Sequence, residues 1–393
     1  MIGWNELLGF LAEVPRENGT EAVHRAADFL AQAMATTGAE VIPVPFTAYP
    51  YALRIIGVVF VVGAAAYFWL MRAGRGRAVL SLSLLLPVLL TLDSDGYLPV
   101  FSFLGGEQAQ RHVVGRVPVE RPEQRLIFTA HYDTKTDLLD HVERAPVELV
   151  TPLLTLLMIA GGVAAIPAPR SKRGRGLKRF GTIVSYAAVV HGLAFFLVLT
   201  AGAVVPGKSP GALDNGGSCA VLVRLAGRLA RAPGLQRTEV ELITFSAEEV
   251  GVQGSRAYAR ARFARPPEIP TYVINLEGMG AAGDLAVLGS ERTLLNSYEP
   301  DPRIVSLLAA VYREQRGAEL EKTWYGGATD GRSFLDVGVP AATLLGREPD
   351  EIFLRDLHSA ADSRKRVSPA ALEAAVELLH GVASRADREG IGT

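Results

Sequence analysis

Four stretches of the chain are apolar almost without interruption: Ile55 to Met71, Ala78 to Leu92, Leu149 to Ile166 and Gly181 to Val205. A bilayer span takes roughly 20 mainly apolar residues, with about 17 as the lower edge, so the first, third and fourth are long enough to cross a membrane. The second is shorter. Its Pro87, Ser81 and Ser83 are tolerable in a span, and Arg77 can snorkel at one end. The positive mean hydropathy of +0.22 comes from these blocks, with no general apolar bias. The pattern therefore predicts four transmembrane helices arranged as two hairpins, residues 51–95 and 148–205.

Outside the blocks the period changes. "TEAVHRAADFLAQAMATTG" places apolar residues at helical spacing from Thr20 to Gly38, and "AEVIPVPF", "HVVGRV" and "RLIFTAHYD" read as strands. After Val205 strands and helices alternate. Helices are expected over Ser218 to Ala230, Ser255 to Phe263, Arg303 to Arg313 and Pro369 to Ala386; strands are expected at "EVELITF", "TYVINLE", "DLAVLG" and "AATLLG". Apolar, β-branched strands alternating with helices predict an α/β fold, a three-layer α/β/α sandwich around a mixed, largely parallel central sheet. Residues 1–50, 96–147 and 206–393 together form this one domain, and the two hairpins are insertions into its loops.

Charge fixes the expected orientation. Lys and Arg number 40 against 41 Asp and Glu, a net charge of −1, which removes the electrostatic case for a nucleic-acid partner. The basic residues are instead concentrated in "RAGRGR" and "PAPRSKRGRGLKRF", the short loops inside each hairpin, and short basic loops stay in the cytoplasm. Everything else is then extracytoplasmic. Residues 1–50, with six acidic and two basic residues, suit translocation, and residues 1–30 predict no cleavable signal peptide. Two spans per insertion return the chain to the side it left. The expectation is a multi-pass protein of the cell membrane, with the lipid bilayer as partner and no predicted oligomeric state.

Candidate chemistry lies at the strand ends. His131 and Asp133 in "HYD" stand two apart at the end of a strand, where period-two geometry puts both on one face and Asp133 can orient the imidazole. Asp214 in "ALDNGG" precedes a helix, Glu248 and Glu249 in "SAEEVG" and Glu277 in "NLEGMG" follow strands, and His358 sits in "LHSAADS". Such ends converge at the carboxyl edge of an α/β sheet. Two cations there need one bridging carboxylate plus a nitrogen and a carboxylate each, which this set supplies. The single cysteine, Cys219, excludes a disulfide framework and a cysteine-based zinc site.

At these residues the sequence resembles the co-catalytic zinc peptidases of the aminopeptidase type, the family that also holds glutamate carboxypeptidase, glutaminyl cyclase and the transferrin receptor. The resemblance runs over residues 11–46, 96–140 and 206–390. It implies a membrane-embedded zinc metalloprotease, a hydrolase with two zinc ions and a peptide substrate. Asp214 would bridge the ions, His131 and Glu277 completing one and Glu249 and His358 the other, with Glu248 as general base. It also implies a cis peptide between Asp214 and Asn215. The activity implied is that of an aminopeptidase; a carboxypeptidase, a glutaminyl cyclase or a non-catalytic receptor-like protein are the alternatives on the same fold. Glu277 stands where aspartate is more usual in the family. In "GGATDGRSFLDVGVP" Asp330 matches, whereas Gly331 stands where histidine is common, leaving the oxyanion stabiliser unassigned; Tyr325, Asp330 and Arg332 are the candidate substrate-binding residues.

Overall fold

The computed structural model describes residues 2–166, 172–231, 234–293, 295–324, 328–349 and 354–392. They form two compact units, one of Met1–Pro50, Glu107–Thr136 and Gly207–Thr393, the other of Tyr51–Gly106 and Asp137–Pro206. In chain order the elements are α1 (Trp4–Leu11), α2 (Glu21–Ala35), β1 (Glu40–Ala48), α3 (Ala52–Arg72), α4 (Gly76–Ser94), β2 (Gln108–Val117), β3 (Gln124–His131), α5 (His141–Ala165), α6 (Lys172–Thr200), α7 (Gly217–Leu229), β4 (Thr238–Phe245), α8 (Gln253–Arg262), β5 (Thr271–Glu277), β6 (Leu285–Leu288), β7 (Glu291–Arg292), β8 (Ser297–Tyr298), α9 (Pro302–Arg316), β9 (Glu321–Thr323), α10 (Asp330–Leu335), β10 (Ala341–Gly346) and α11 (Pro369–Glu389).

In the first unit, eight strands make one sheet in the order β1-β2-β4-β3-β5-β10-β6-β9. The central strands β4, β3, β5 and β10 run parallel, flanked by antiparallel pairings of β2 with β4 and of β6 with β10. Side-chain alternation divides the core. Leu126, Phe128 and Ala130 of β3, with Leu242 of β4 and Ile274 of β5, face the helices α1, α2, α7, α9 and α11. Ile127, Ile243, Phe245 and Val273 face the other way, onto Tyr258 and Phe334 of α8 and α10. Helices thus cover both faces of a mixed, mostly parallel sheet, the three-layer α/β architecture that the alternating sequence predicts.

Local chemistry ends the helices where the sequence implies. Asp301 caps α9 through the amides of Arg303 and Ile304, with Pro302 at the first helical position and Gly317 in the left-handed conformation at the other end. Ser368 and Pro369 start α11 in the same manner. Helices α1 and α10 and the short strands β7, β8 and β9 were not legible as periodic segments, being only two to eight residues long.

In the second unit, α3, α4, α5 and α6 are long and apolar enough to cross a membrane, judged by length and composition. Small residues allow them to approach closely: a Cβ at Gly162 would lie 2.9 Å from the Leu80 backbone, and one at Gly192 would lie 2.9 Å from Ala64 Cβ. His191 Nε2 hydrogen-bonds with Thr151 Oγ1 at 2.9 Å. Residues 96–106 and 137–147, read from the sequence with the α/β domain, group here with the apolar helices. The Asp93 carboxylate at the end of α4 binds the backbone N–H of Phe101 and Ser102, folding that turn back onto the helix. Asp137 pairs with Arg144 at 2.6 Å, and Asp140 and Glu143 form a reciprocal cap on α5.

Candidate metal centre

The seven acid and imidazole groups singled out from the sequence come together in the first unit. His131 is the last residue of β3, in register with Phe245 of β4, while Thr129 is in register with Asn275 of β5; two residues further, Glu277 closes β5 level with His131. Beyond β4, Ala247 takes a left-handed φ of 60° and turns the chain so that Glu248 and Glu249 follow at the sheet edge. His358 and Asp356 have φ of 61° and 59°. Left-handed backbone at non-glycine residues costs on the order of 1–3 kcal/mol each and persists where surrounding structure over-determines it. Asp214 lies in the irregular turn between Gly211 and α7, and the Asp214–Asn215 peptide is cis, as the resemblance implies.

Asp214 stands between the two histidines. Its Oδ1 is 3.2 Å from His131 Nε2 and its Oδ2 is 3.0 Å from His358 Nε2. Glu277 Oε2 is 3.5 Å from His131 Nε2, Glu249 Oε2 is 3.0 Å from His358 Nε2, and Glu248 Oε2 is 3.9 Å from His131 Nε2. One donor atom each from His131, Asp214 and Glu249 lie within 4.8 Å of one another.

The electrostatics of this cluster favour a cation. Burial raises Glu248 well above the usual carboxylate range, and the charges of Glu249, Asp330 and Glu277 push the same way. Burial likewise raises Glu249, with Asp214 adding to it. At Asp214 burial is overcome by hydrogen bonds and charge from His358 and His131, which hold it well below its ordinary value. Glu249 Oε1 is buried with no hydrogen-bond partner among the described residues. Imidazole and carboxylate donors crowded this closely, with one oxygen unsatisfied, suit zinc: its tetrahedral or five-coordinate sites take nitrogen and oxygen ligands.

Asp133 takes a different part from the one its spacing predicts. Its Oδ1 is 3.7 Å from His131 Nδ1, beyond hydrogen-bond distance, while its backbone carbonyl is 3.2 Å from that nitrogen. Strand β3 stops at His131, so the period-two relation does not extend to residue 133. The Asp133 carboxylate instead accepts the backbone N–H of Glu248 at 3.2 Å and of Glu249 at 3.0 Å, and the Asn18 amide at 2.6 Å.

Several supporting residues carried no sequence signal. Asp362 accepts the N–H of Leu213 at 2.8 Å and of Asp214 at 3.1 Å, fixing the turn that carries Asp214. Arg16 is fully buried and donates to five backbone carbonyls: those of Leu11, Val14, Tyr132, Pro210 and Gly211, at 2.6 to 3.0 Å. It joins the segment following His131 to the segment preceding Asp214. Asn215 and Asn275 donate to Glu277 Oε2 and Oε1 at 2.7 and 2.9 Å. Asn275 was findable, since it stands two residues before Glu277 on the same strand face.

Of the candidate substrate-binding residues, Tyr325 lies outside the described residues. Asp330 opens α10 fully buried, its carboxyl pushed up to about 8 by burial, with the Glu277 and Asp133 charges adding and His131 and Ser255 opposing. Arg332 is buried in the same helix. At Gly331 a Cβ would fall 2.5 Å from Thr343 Oγ1 and 3.0 Å from Glu291 Oε1, so no side chain fits there.

Residues 198–383 match the family model of peptidase family M28. The aminopeptidase YwaD of Bacillus subtilis (strain 168) is 25% identical over 172 residues, 44% of this chain and 36% of that protein, so the chain spans about a third of the length of this curated relative. Among the solved structures that share the fold are these three. An aminopeptidase from Aneurinibacillus sp. strain AM-1 has a TM-score of 0.55 at 16% identity, covering 97% of this chain and 92% of its own. The zinc aminopeptidase BSAP from Bacillus subtilis has 0.54 at 14%, covering 97% and 94%. A Bacteroides thetaiotaomicron glutaminyl cyclase bound to N-acetylhistamine has 0.56 at 13%, covering 96% and 93%.

Proposed function

We propose, from the premise that residues 198–383 belong to peptidase family M28, that the chain is a membrane-bound zinc aminopeptidase acting on peptides outside the cytoplasm. The observation that carries the reading is the position of Asp214, with one carboxylate oxygen beside His131 and the other beside His358. A carboxylate so shared could serve two zinc ions, of which His131 and Glu277 would hold one and Glu249 and His358 the other. Bound zinc supplies Lewis acidity, polarising the scissile carbonyl and lowering the pKa of water.

The protein's own part is proton transfer and positioning. Glu248 borders the cluster without being needed to complete either ligand set, and its side chain keeps 14% exposure, which leaves it accessible to substrate. It takes the proton of the attacking water and gives it to the leaving amine. Asp133 and Asp362 hold the backbone of Glu248, Glu249 and Asp214, so that the carboxylates are oriented before substrate arrives.

Glu248→Gln tests the chemistry. Zinc content should stay at the wild-type level while cleavage of aminoacyl reporter substrates falls about 10²–10⁴-fold, the usual contribution of a general base. Unchanged turnover in that variant would remove the mechanism. A peptide-library digest then checks that products shorten from the amino terminus.

The membrane part of the reading rests on the four apolar helices and on the basic residues at the start of α6, among them Arg175, Lys178 and Arg179. Cys219 is fully buried, so cysteines placed at Asn296 or Arg175 can be labelled without a native competitor. An impermeant thiol reagent should mark Asn296→Cys and spare Arg175→Cys in intact cells. The reverse pattern would place the metal centre in the cytoplasm.

A further inference from the structure

Two of the short elements that sequence periodicity misses, β7 and the start of α10, meet strand β10 at one buried carboxylate. Glu291 of β7 is 4% exposed, yet no basic side chain neutralises it by ion pairing among the described residues. Its partners are hydroxyl and amide groups instead. Oε2 accepts the Thr329 backbone N–H at 2.9 Å, while Oε1 accepts the hydroxyls of Thr329 at 2.6 Å and of Thr343 at 2.7 Å. Burial raises the Glu291 carboxyl, and these three donors oppose that rise. The absence of a side chain at Gly331 is what admits it, because a Cβ there would lie 3.0 Å from Oε1.

The hydrogen bonds have a direction. With its proton committed to Glu291, the Thr329 hydroxyl presents a lone pair, and it accepts from Asn275 Nδ2 at 3.0 Å. The second N–H of the same amide goes to Glu277 Oε1 at 2.9 Å, and Asn275 Oδ1 accepts the Thr129 hydroxyl at 2.8 Å. Both N–H donors and the carbonyl oxygen of the Asn275 amide thereby have partners that a flip would oppose. Glu277 is then held from both sides, by Asn275 at Oε1 and by Asn215 at Oε2, with Oε2 also turned toward His131.

We propose that Glu291 is a positioning residue for Glu277, acting through the Thr329 hydroxyl and the Asn275 amide to set which way the Glu277 carboxylate faces. The inference rests on the reading of Glu277 as a zinc ligand. Outer groups of this kind typically govern metal affinity by about 10–100-fold. A glutamine at 291 keeps the shape and reverses part of the polarity, since its amide donates where the carboxylate accepts. Whichever way that amide turns, its nitrogen faces a donor, either the Thr329 N–H or the Thr329 and Thr343 hydroxyls, so Thr329 is pushed from the position that orients Asn275.

The test uses the full-length protein in detergent and reads zinc affinity by competition with a chromophoric chelator, with zinc content measured in parallel. Glu277→Ala should lose one zinc equivalent, which checks the underlying reading. Glu291→Gln should weaken one zinc by about tenfold or more, and the same substitution in an Asn275→Leu background should add little. If Glu277→Ala loses zinc while Glu291→Gln binds as wild type, or if the two substitutions act additively, the relay is wrong although the ligand assignment stands. If Glu277→Ala binds zinc normally, the ligand assignment itself fails and the inference goes with it. Should Glu291→Gln not fold, Thr329→Ser and Thr329→Val decide: the serine keeps the hydroxyl and should keep affinity, the valine should lose it, and equal affinity in both would overturn the proposal.

Discussion

Asp133 holds Glu249 by its backbone: Asp133 Oδ2 accepts the Glu249 amide N–H at 3.0 Å, and Oδ1 accepts that of Glu248 at 3.2 Å. One carboxylate thus sets the loop that carries both the proposed base and a proposed ligand. Asp133→Asn places an amide nitrogen where at least one of these N–H groups needs an acceptor. Leaving a buried donor unsatisfied costs about 1–3 kcal/mol, so the variant should keep its fold, lose a few degrees of thermal midpoint, and lose kcat more than KM. A variant with unchanged kcat would mean that the loop does not depend on this carboxylate.

Arg16→Met should be among the most damaging single changes. It strips the donor from five main-chain carbonyls, and each buried acceptor left unsatisfied costs about 1–3 kcal/mol. Thermal denaturation should show a midpoint lower by about 5 °C or more. Arg16→Lys, whose ammonium offers three donors to the guanidinium's five, should recover part of the loss.

Zinc removal should destabilise the α/β unit along with abolishing turnover. The carboxylates of Glu248, Glu249 and Asp330 are all pushed up by burial and mutual proximity, and a ligand that binds only the folded state at a hundred times its Kd adds about 2.7 kcal/mol. Dialysis against a chelator should lower the thermal midpoint and added zinc should restore it. A midpoint indifferent to zinc would argue against a site formed by folding.

His112 provides a pH test that does not involve these groups. Its ring is buried between Phe46, Phe245 and Tyr258, neither nitrogen has a hydrogen-bond partner among the described residues, and burial pushes its pKa down to about 3. The unfolded chain binds that proton near pH 6.5. Stability from this residue is therefore full above pH 6.5 and is lost as pH falls toward 3, by up to about 1.4 kcal/mol per unit within the window. His112→Phe should shrink the drop in thermal midpoint between pH 7 and pH 5; an equal drop in both proteins would place the acid sensitivity elsewhere.

Much of the site is legible because the parallel strands announce their own ends. "RLIFTAH" and "TYVINLE" are buried on both faces, so their apolar runs are continuous and stop at His131 and Glu277. Period and composition also locate the four long apolar helices. What escapes is whatever depends on a partner distant in sequence. Arg16 meets carbonyls up to 195 positions away, and Asp362 binds amides 148 and 149 positions back. Glu291 lies in a two-residue strand with no period to read. Asp133 shows a subtler limit: its carboxylate lies 3.7 Å from His131 Nδ1, but its hydrogen bonds to the amides of Glu248 and Glu249 are announced by no spacing in the sequence.

The Arg16 contacts bear on how a folded unit survives a long break in its sequence. Closing a connection as long as Asp137–Pro206 in place of a tight turn adds roughly 2 kcal/mol of chain entropy if the connection is flexible, because each doubling of length adds about 0.6 kcal/mol. Arg16 reaches Tyr132 on one side of that break and Pro210 and Gly211 on the other, and it recognises only main-chain oxygens. The closure is therefore made within the α/β unit and is indifferent to side-chain identity at Tyr132 and Pro210. The spacing of His131 and Asp214 is in this way set by main-chain contacts made inside the α/β unit itself, whatever sequence joins the two sides.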